Sequence, residues 1–405
     1  MNNPINQPKS HKQHCMVVHA YYPVGETRVE REALALVDRG YQVDVICLRA
    51  KGEPAQETID GINVFRLPVG RHKGSGLVVQ LFEYMAFLVM ASIKLAALHR
   101  DRRYGVVQLH NLPDWLVFAG LAPKLAGARL ILDLHDLMPE FYSARFNTNL
   151  ASWPARVMAW QEQLSCRFAD HVITVTEPWR QTLIQRGVPA SKCSVVMNVA
   201  DDRIFHRGGP AAASHLAQDG SLKLIYHGNL TQRYGIDLAI RAVALVRKQI
   251  PHIQLIVHGW GDYRQELVNL ANELDLGEHV LFSTRALATS ELPDLIRSAD
   301  VGVVPYRRDV FTDGILPTKL MEYTALGLPV IAANTPAILA YFDETMVQYF
   351  TPDDPEDLAR CILALSSDRQ RLAHLALESD RFNQQYNWAR VSAEYVALVE
   401  RLGAR

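Results

Sequence analysis

The sequence predicts an α/β protein of two consecutive doubly wound lobes, each a parallel sheet covered by helices. Three observations carry this. The chain has 405 residues, too many for one typical hydrophobic core. Short apolar, β-branched runs alternate with helically patterned stretches from end to end, the rhythm of βαβ units. That rhythm breaks once, in a segment rich in Gly, Ala, Ser and Asp, and then resumes.

The first series places strands at Cys15–Ala20, Gln42–Leu48, Ile62–Leu67, Val106–His110, Leu130–His135, His171–Thr176 and Ser194–Asn198. Helical spacing marks Arg28–Arg39 and Trp115–Leu125 between them. The break is Asp201–Ser221, read as an interdomain linker. The second series places strands at Leu222–His227, Ile253–His258, His279–Ser283, Val301–Pro305, Val330–Ala333 and Val347–Phe350, with helices such as Asp237–Lys248 and Tyr263–Leu274 between them. A last helix over Trp388–Leu402 is expected to pack back across the lobes. The expected division is therefore a first lobe over 14–200, a linker over 201–221, a second lobe over 222–383 and a closing helix within 384–405.

Composition narrows the function class. Five cysteines, Cys15, Cys47, Cys166, Cys193 and Cys361, are scattered without a CxxC pair, which argues against a disulfide framework or structural zinc and fits a reducing compartment. Residues 1–14 are polar and carry no signal-peptide pattern, so a cytoplasmic location is expected. Residues 1–200 hold 22 Lys+Arg against 17 Asp+Glu, and residues 201–405 hold 20 against 26. That asymmetry is too dispersed for nucleic-acid binding but is compatible with an anionic membrane surface. Tyr84–Ile93 is apolar on all sides, far short of the ~20 residues of a spanning helix. It reads either as a helix buried against the first sheet or as one dipping into the membrane interface beside Lys94, Arg100, Arg102 and Arg103.

In open parallel sheets ligands bind outside the carboxyl ends of the strands. His19, His110, His135, Thr176, Asn198, His227 and His258 stand there. Leu316–Gly327 (LPTKLMEYTALG) reads as a helix with Pro317 in its first turn and Gly327 as its C-terminal cap. Free backbone amides near Gly314, together with Lys319, would receive a diphosphate, and Glu322, three residues on, could accept from sugar or ribose hydroxyls. Gly228-Asn229-Leu230-Thr231-Gln232-Arg233 follows the first strand of the second lobe and gives a second phosphate-approach signal. In the first lobe, Asp133, His135, Asp136 and Glu140 crowd titratable groups beyond one strand, without tidy metal-ligand spacing. Tyr22–Glu26 is not a GxGxxG turn, which argues against a dinucleotide cofactor.

At these residues the sequence resembles the retaining glycosyltransferases of family 4, over about Met16 to Leu402, and among them the bacterial enzymes that build surface polysaccharides. The stretches RGYQVDVICLR, VVQLHNLPDWLVFAGL, LILDLHDLMPEFY, YHGNLTQRYGIDLAIRAV, IQLIVHGWGDYRQEL, ADVGVVPYRRDV and LPTKLMEYTALGLPVI carry the resemblance. It implies the GT-B fold, two Rossmann-like lobes facing a cleft, and transfer of a sugar from a UDP- or GDP-sugar to an acceptor hydroxyl in polysaccharide or glycolipid biosynthesis. The family's glycine loop after the first strand falls on Gly25, its strand-end histidine on His135 and its ribose-binding glutamate on Glu322. Two positions depart from the family pattern. Gly314, with Asp313 beside it, stands where a second, sugar-binding glutamate is common, and Asn229 and Tyr234 stand where an Arg and a Lys commonly grip the diphosphate.

The candidate residues are then His135 and Lys319 as catalytic groups. Gly228, Asn229, Arg233, Asp313, Gly314, Ile315, Lys319 and Glu322 are expected on the donor, and Gly25, Arg28, His110 and Asp136 on the acceptor. No metal and no cofactor beyond the nucleotide-sugar co-substrate is expected. The expected partners are that donor, a glycan or lipid-linked acceptor and the inner-membrane surface. A non-catalytic nucleotide- or glycan-binding subunit and a nucleotide-sugar epimerase are the alternatives.

Overall fold

The computed structural model describes residues 12–71, 76–208 and 221–404. The segment read as a linker falls mostly at 209–220, outside the described residues. The chain forms two compact units. One comprises the described residues of Met1–Val175, Trp179–Val196 and Ala389–Arg405, the other those of Thr176–Pro178 and Met197–Trp388.

The first unit holds strands β1 (Gln13–Tyr21), β2 (Gln42–Leu48), β3 (Gln56–Ile59), β4 (Ile62–Leu67), β5 (Val106–His110), β6 (Arg129–Leu134), β7 (His171–Thr174) and β8 (Cys193–Val195). They form one sheet in the order β3-β4-β2-β1-β5-β6-β7-β8. All neighbours are parallel except β3 and β4. The interior of β1 (His14–Ala20) is buried throughout, because helices cover both faces of a parallel sheet. Strand β3, QETI, escapes the sequence reading because it is a polar, half-exposed edge strand with no apolar alternation. The helix expected over Tyr84–Ile93 runs much further, Leu77–Arg102.

The second unit holds β9 (Leu222–His227), β10 (Ile253–His258), β11 (Val280–Phe282), β12 (Val301–Val304), β13 (Val330–Ala333) and β14 (Gln348–Phe350). Their order is β11-β10-β9-β12-β13-β14, all parallel. The winding reverses between β9 and β12, so the loops after these two strands diverge and leave a crevice at their carboxyl ends. In the first unit the same reversal falls between β1 and β5. The carboxyl ends of β5 and β6 carry His110 and His135, and that of β9 carries His227 and Gly228.

The helix at the switch point of the second unit is Thr318–Ala325, shorter than expected. Pro317 has extended backbone and caps the helix from outside instead of sitting in its first turn. Gly302 in β12 lets this helix lie close: a Cβ there would fall 2.5 Å from Cδ2 of Tyr323. The helix Trp388–Gly403 returns, from Ala389 onward, to the first unit.

Candidate active site

In the second unit Glu322 and Lys319 leave the same helix toward the end of β9 (their neighbour Tyr323 fastens the helix there). The Tyr323 hydroxyl lies 3.2 Å from the Ile225 carbonyl, 3.1 Å from the His227 amide and 3.0 Å from His227 Nδ1. When that hydroxyl donates to Nδ1, the Nε2–H of His227 donates to Glu322 Oε2 at 2.5 Å. One carboxylate oxygen is thus held and the other is left to meet a hydroxyl. His227 is a site residue that sequence reasoning placed only among strand-end polar groups.

Lys319 is buried. Its Nζ donates to the Tyr306 hydroxyl at 2.9 Å and lies 4.9, 5.1 and 4.8 Å from the ring centres of Tyr226, Tyr234 and Tyr306. Burial pushes the amine down to about 8, with Glu322 working the other way. The aromatic faces stabilise the cation without neutralising it. Gly228, at φ +122°, makes room: a Cβ there would meet Lys319 Cε at 3.2 Å. Tyr234 stands where the family commonly has a lysine, and its ring now packs beside Lys319.

The remaining donor-side candidates are dispersed. Arg233 stacks over Phe311 at 5.3 Å. Asn229 is exposed, and its carbonyl accepts from Tyr226. Asp313 pairs with Arg308 at 3.2 Å, and burial raises its carboxyl. The amide of Gly314 is not free as expected: it donates to the Phe311 carbonyl at 3.1 Å, closing a turn. The Gly314 carbonyl accepts from Thr176 at 2.7 Å, and Ile315 is half-buried beside it.

The first unit carries a buried polar hub centred on Asp133. Its Oδ2 faces Arg28 Nε at 3.0 Å, His110 Nδ1 at 3.0 Å, Gln108 Nε2 at 3.2 Å and His135 Nε2 at 3.3 Å, while Oδ1 takes Arg28 Nη2 at 3.0 Å. Arg28 also reaches Glu32 at 3.2 Å, and Gln108 donates to Glu32 at 2.7 Å. Tyr395, from the returning helix, donates to Gln108 at 2.6 Å. Burial opposes charge on His135, but Asp133 outweighs it and raises the imidazole. Burial takes His110 down to about 4, so it is neutral at physiological pH. Glu32 is raised to about 7 by burial, against the pull of Arg28.

His110, Asp133 and His135 bring three ligand-type atoms together, at separations of 3.0, 3.1 and 3.3 Å. Such a triangle suits a small divalent ion. The guanidinium of Arg28 already occupies Asp133, however, and its charge opposes a second cation there. The contacts around Asp133 also make the cluster a hydrogen-bond hub. Glu26 sits among the charges of His135, Arg71, Asp133 and Arg28, and burial raises its carboxyl. Gly25 has φ +91°, with open space where a Cβ would point.

Asn111 fixes the loop that presents His135. Its Oδ1 accepts from the His135 amide at 2.8 Å, and its Nδ2 donates to the Asp136 carbonyl at 2.6 Å and to Asp114 at 3.0 Å. Arg28, His110 and His135 therefore come together; Asp136 joins them through its backbone, and Gly25 marks the turn before Glu26. Glu26, Glu32, Gln108, Asn111 and Tyr395 were not legible as site residues.

Comparison with known proteins agrees with this geometry. Residues 25–198 match the glycosyl transferase 4-like domain, and residues 211–380 match the glycosyl transferases group 1 domain. The chain is 27% identical over 389 residues to a D-inositol 3-phosphate glycosyltransferase of Kineococcus radiotolerans, covering 88% of this chain and 85% of that one. Among solved structures, sucrose-phosphate synthase from Thermosynechococcus elongatus superposes with a TM-score of 0.77 at 21% identity, over 97% of this chain and 99% of that one. The Anabaena protein HepE, solved with UDP and glucose, superposes with a TM-score of 0.71 at 19% identity, over 96% and 99%. Two reversed parallel sheets, a glutamate fixed at one switch point and a histidine at the other, and two matched domains that span most of the sequence have one common reading: the chain is a glycosyltransferase of family 4 with the GT-B fold.

Proposed function

We propose that the protein transfers a sugar from a UDP- or GDP-sugar to an acceptor hydroxyl with retention at the anomeric carbon, in polysaccharide or glycolipid biosynthesis at the cytoplasmic face of a membrane. The observation that carries this reading is the pair formed by Glu322, one oxygen held by His227, and Lys319, a buried amine with a tyrosine hydroxyl as its hydrogen-bond acceptor. A diol and a diphosphate are the ligands these groups suit: Glu322 accepts from ribose hydroxyls, and Lys319 meets phosphate oxygens. Arg233, next to Tyr234 in the same turn, is a second cation proposed for the donor.

As the bond between the anomeric carbon and the phosphate oxygen breaks, negative charge grows on the leaving diphosphate. Lys319 stabilises it in place and needs no metal to do so. The acceptor oxygen bonds to the anomeric carbon on the face the phosphate leaves, and the acceptor proton passes to a departing phosphate oxygen. His135, whose imidazole Asp133 raises, lines the reacting centre, and Gly25, Arg28, His110 and Asp136 shape the acceptor side. The similarity to HepE, crystallised with UDP and glucose, supports the donor class. A thermal-shift panel of UDP-, GDP-, ADP- and dTDP-sugars tests the reading. The cognate donor at about 100 times its Kd should add about 2.7 kcal/mol of stability, and the Glu322→Ala variant should lose most of that shift. No shift with any of the four would remove it. Full turnover in excess chelator is expected, and loss of turnover restored by a divalent ion would overturn the metal-free mechanism.

A further inference from the structure

The helix Leu77–Arg102 is long and apolar enough to cross a membrane by length and composition. Its packing excludes that role. Phe87, Ala91 and Leu95 are fully buried, the helix packs on β1, β2 and β4, and Lys94 sits 4.4 Å over the Phe65 ring of β4. A helix with one side committed to a folded sheet cannot be surrounded by lipid. The opposite side is equally apolar and is exposed: Val78, Phe82, Met85, Val89 and Ile93 recur at helical spacing, with Phe82 71% exposed.

This stripe does not stand alone. The helix packs on the 3-10 turn Asp114–Gly120 and on the helix Leu121–Leu125, whose Leu121 and Leu125 are exposed, the latter by 80%. Phe118 of that turn meets Phe168 at 4.9 Å, and so joins the helix Trp153–Phe168. That helix shows its own stripe, Trp153, Val157 and Trp160, with the two tryptophans 77% and 63% exposed. Charge separates along the same face. Of the four carboxylates on these elements, Glu83, Asp114 and Glu162 are buried, and Asp101 at the end of the long helix is exposed and pairs with Arg100 at 3.3 Å. Arg156 and Arg167 on the tryptophan-bearing helix are exposed.

We infer that this three-element face of the first unit docks on an anionic bilayer, lying in the headgroup region with its aromatic and aliphatic stripes inserted and its arginines on lipid phosphates. Exposed apolar faces of this kind mark interaction surfaces. Tryptophan together with arginine, with the single exposed carboxylate, Asp101, set at the helix end and paired with Arg100, selects an anionic lipid interface over a second protein surface. The inference deepens the membrane-facing part of the proposed function and rests on that reading only for why an acceptor would be met there; the docking face itself stands on exposure and charge.

The test is co-sedimentation of the full chain with mixed phosphatidylcholine–phosphatidylglycerol vesicles and with pure phosphatidylcholine vesicles, at low and high salt. Binding to the anionic vesicles that weakens with salt is expected. Phe82→Asp with Ile93→Asp, and separately Arg156→Glu with Arg167→Glu, should each weaken it roughly tenfold. Both pairs are exposed, and circular dichroism checks that the variants fold. Turnover with a water-soluble acceptor should stay unchanged in both, whereas Glu322→Ala should lose turnover and keep vesicle binding; in this way failure of docking and failure of the transfer reading appear in different assays. Absence of binding to anionic vesicles at low salt would overturn the proposal. So would a wild-type dimer that the Phe82→Asp, Ile93→Asp variant converts to monomer, because the face would then belong to a second copy.

Discussion

The two units treat their buried charges in opposite ways. In the first unit Arg28 is clamped by Asp133 and Glu32, and His135 is paired with that same aspartate. In the second, Lys319 points its amine at a tyrosine hydroxyl within three aromatic rings. A site that supplies its own counter-charges is complete before any ligand arrives and suits neutral hydroxyls. A site that holds a cation among rings still has attraction to spend on an anion. The difference fits the proposed roles, a diphosphate in the second unit and an acceptor in the first.

The sharpest way to break this contrast is to remove the hub's centre. Asp133→Ala leaves Arg28 buried without its two-oxygen partner and should cost about 3–5 kcal/mol of stability in chemical denaturation. A loss under about 1 kcal/mol would show that Glu32 alone satisfies the guanidinium. Next come the donor groups. Lys319→Ala and Glu322→Ala should each lower transfer about 100-fold, corresponding to nearly 3 kcal/mol at the transition state, with little loss of folding stability. Near-normal turnover in both would remove the donor assignment.

The pH profile sharpens the same point with a smaller effect. Burial holds the Lys319 amine near 8 in the free protein, so its charge is present below that pH and lost above it. Donor kcat/KM should therefore fall about tenfold per pH unit on the alkaline side, and Lys319→Met should lack that limb. A wild-type profile flat well beyond that pH would detach Lys319 from donor binding. The smallest expected effect is Tyr395→Phe, which removes one hydrogen bond onto Gln108 and should cost about 1 kcal/mol of stability while leaving donor affinity unchanged.

The core strands were legible because burial on both faces writes itself into the sequence as apolar runs. Strand β3 was not, since an exposed edge has no such constraint. The long helix was read at less than half its length, because Tyr84–Ile93 is its one continuously apolar core while its flanks, from Leu77 and out to Arg102, mix polar residues in. Glu322, Lys319 and His135 were found because they stand at helix starts and strand ends, where position itself signals a ligand. Their partners were hidden. His227 and Glu322 are 95 positions apart, and Tyr395 and Gln108 are 287 apart, so nothing local in the sequence marks either bond. The free amides expected at Gly314 gave way to a turn hydrogen bond that only the folded loop reveals.

The return of the helix Trp388–Gly403 to the first unit has a consequence for synthesis on the ribosome. Nearly all of the first unit emerges early, yet Gln108 waits for Tyr395, which is translated after the whole second unit. A nascent chain therefore carries a nearly finished first unit whose polar interior is short of one partner until the second unit has been made. A premature stop just before residue 388 would spare every donor-binding group named here and injure the other unit. The harm from a truncation at one end of the gene would be felt among residues encoded near the opposite end.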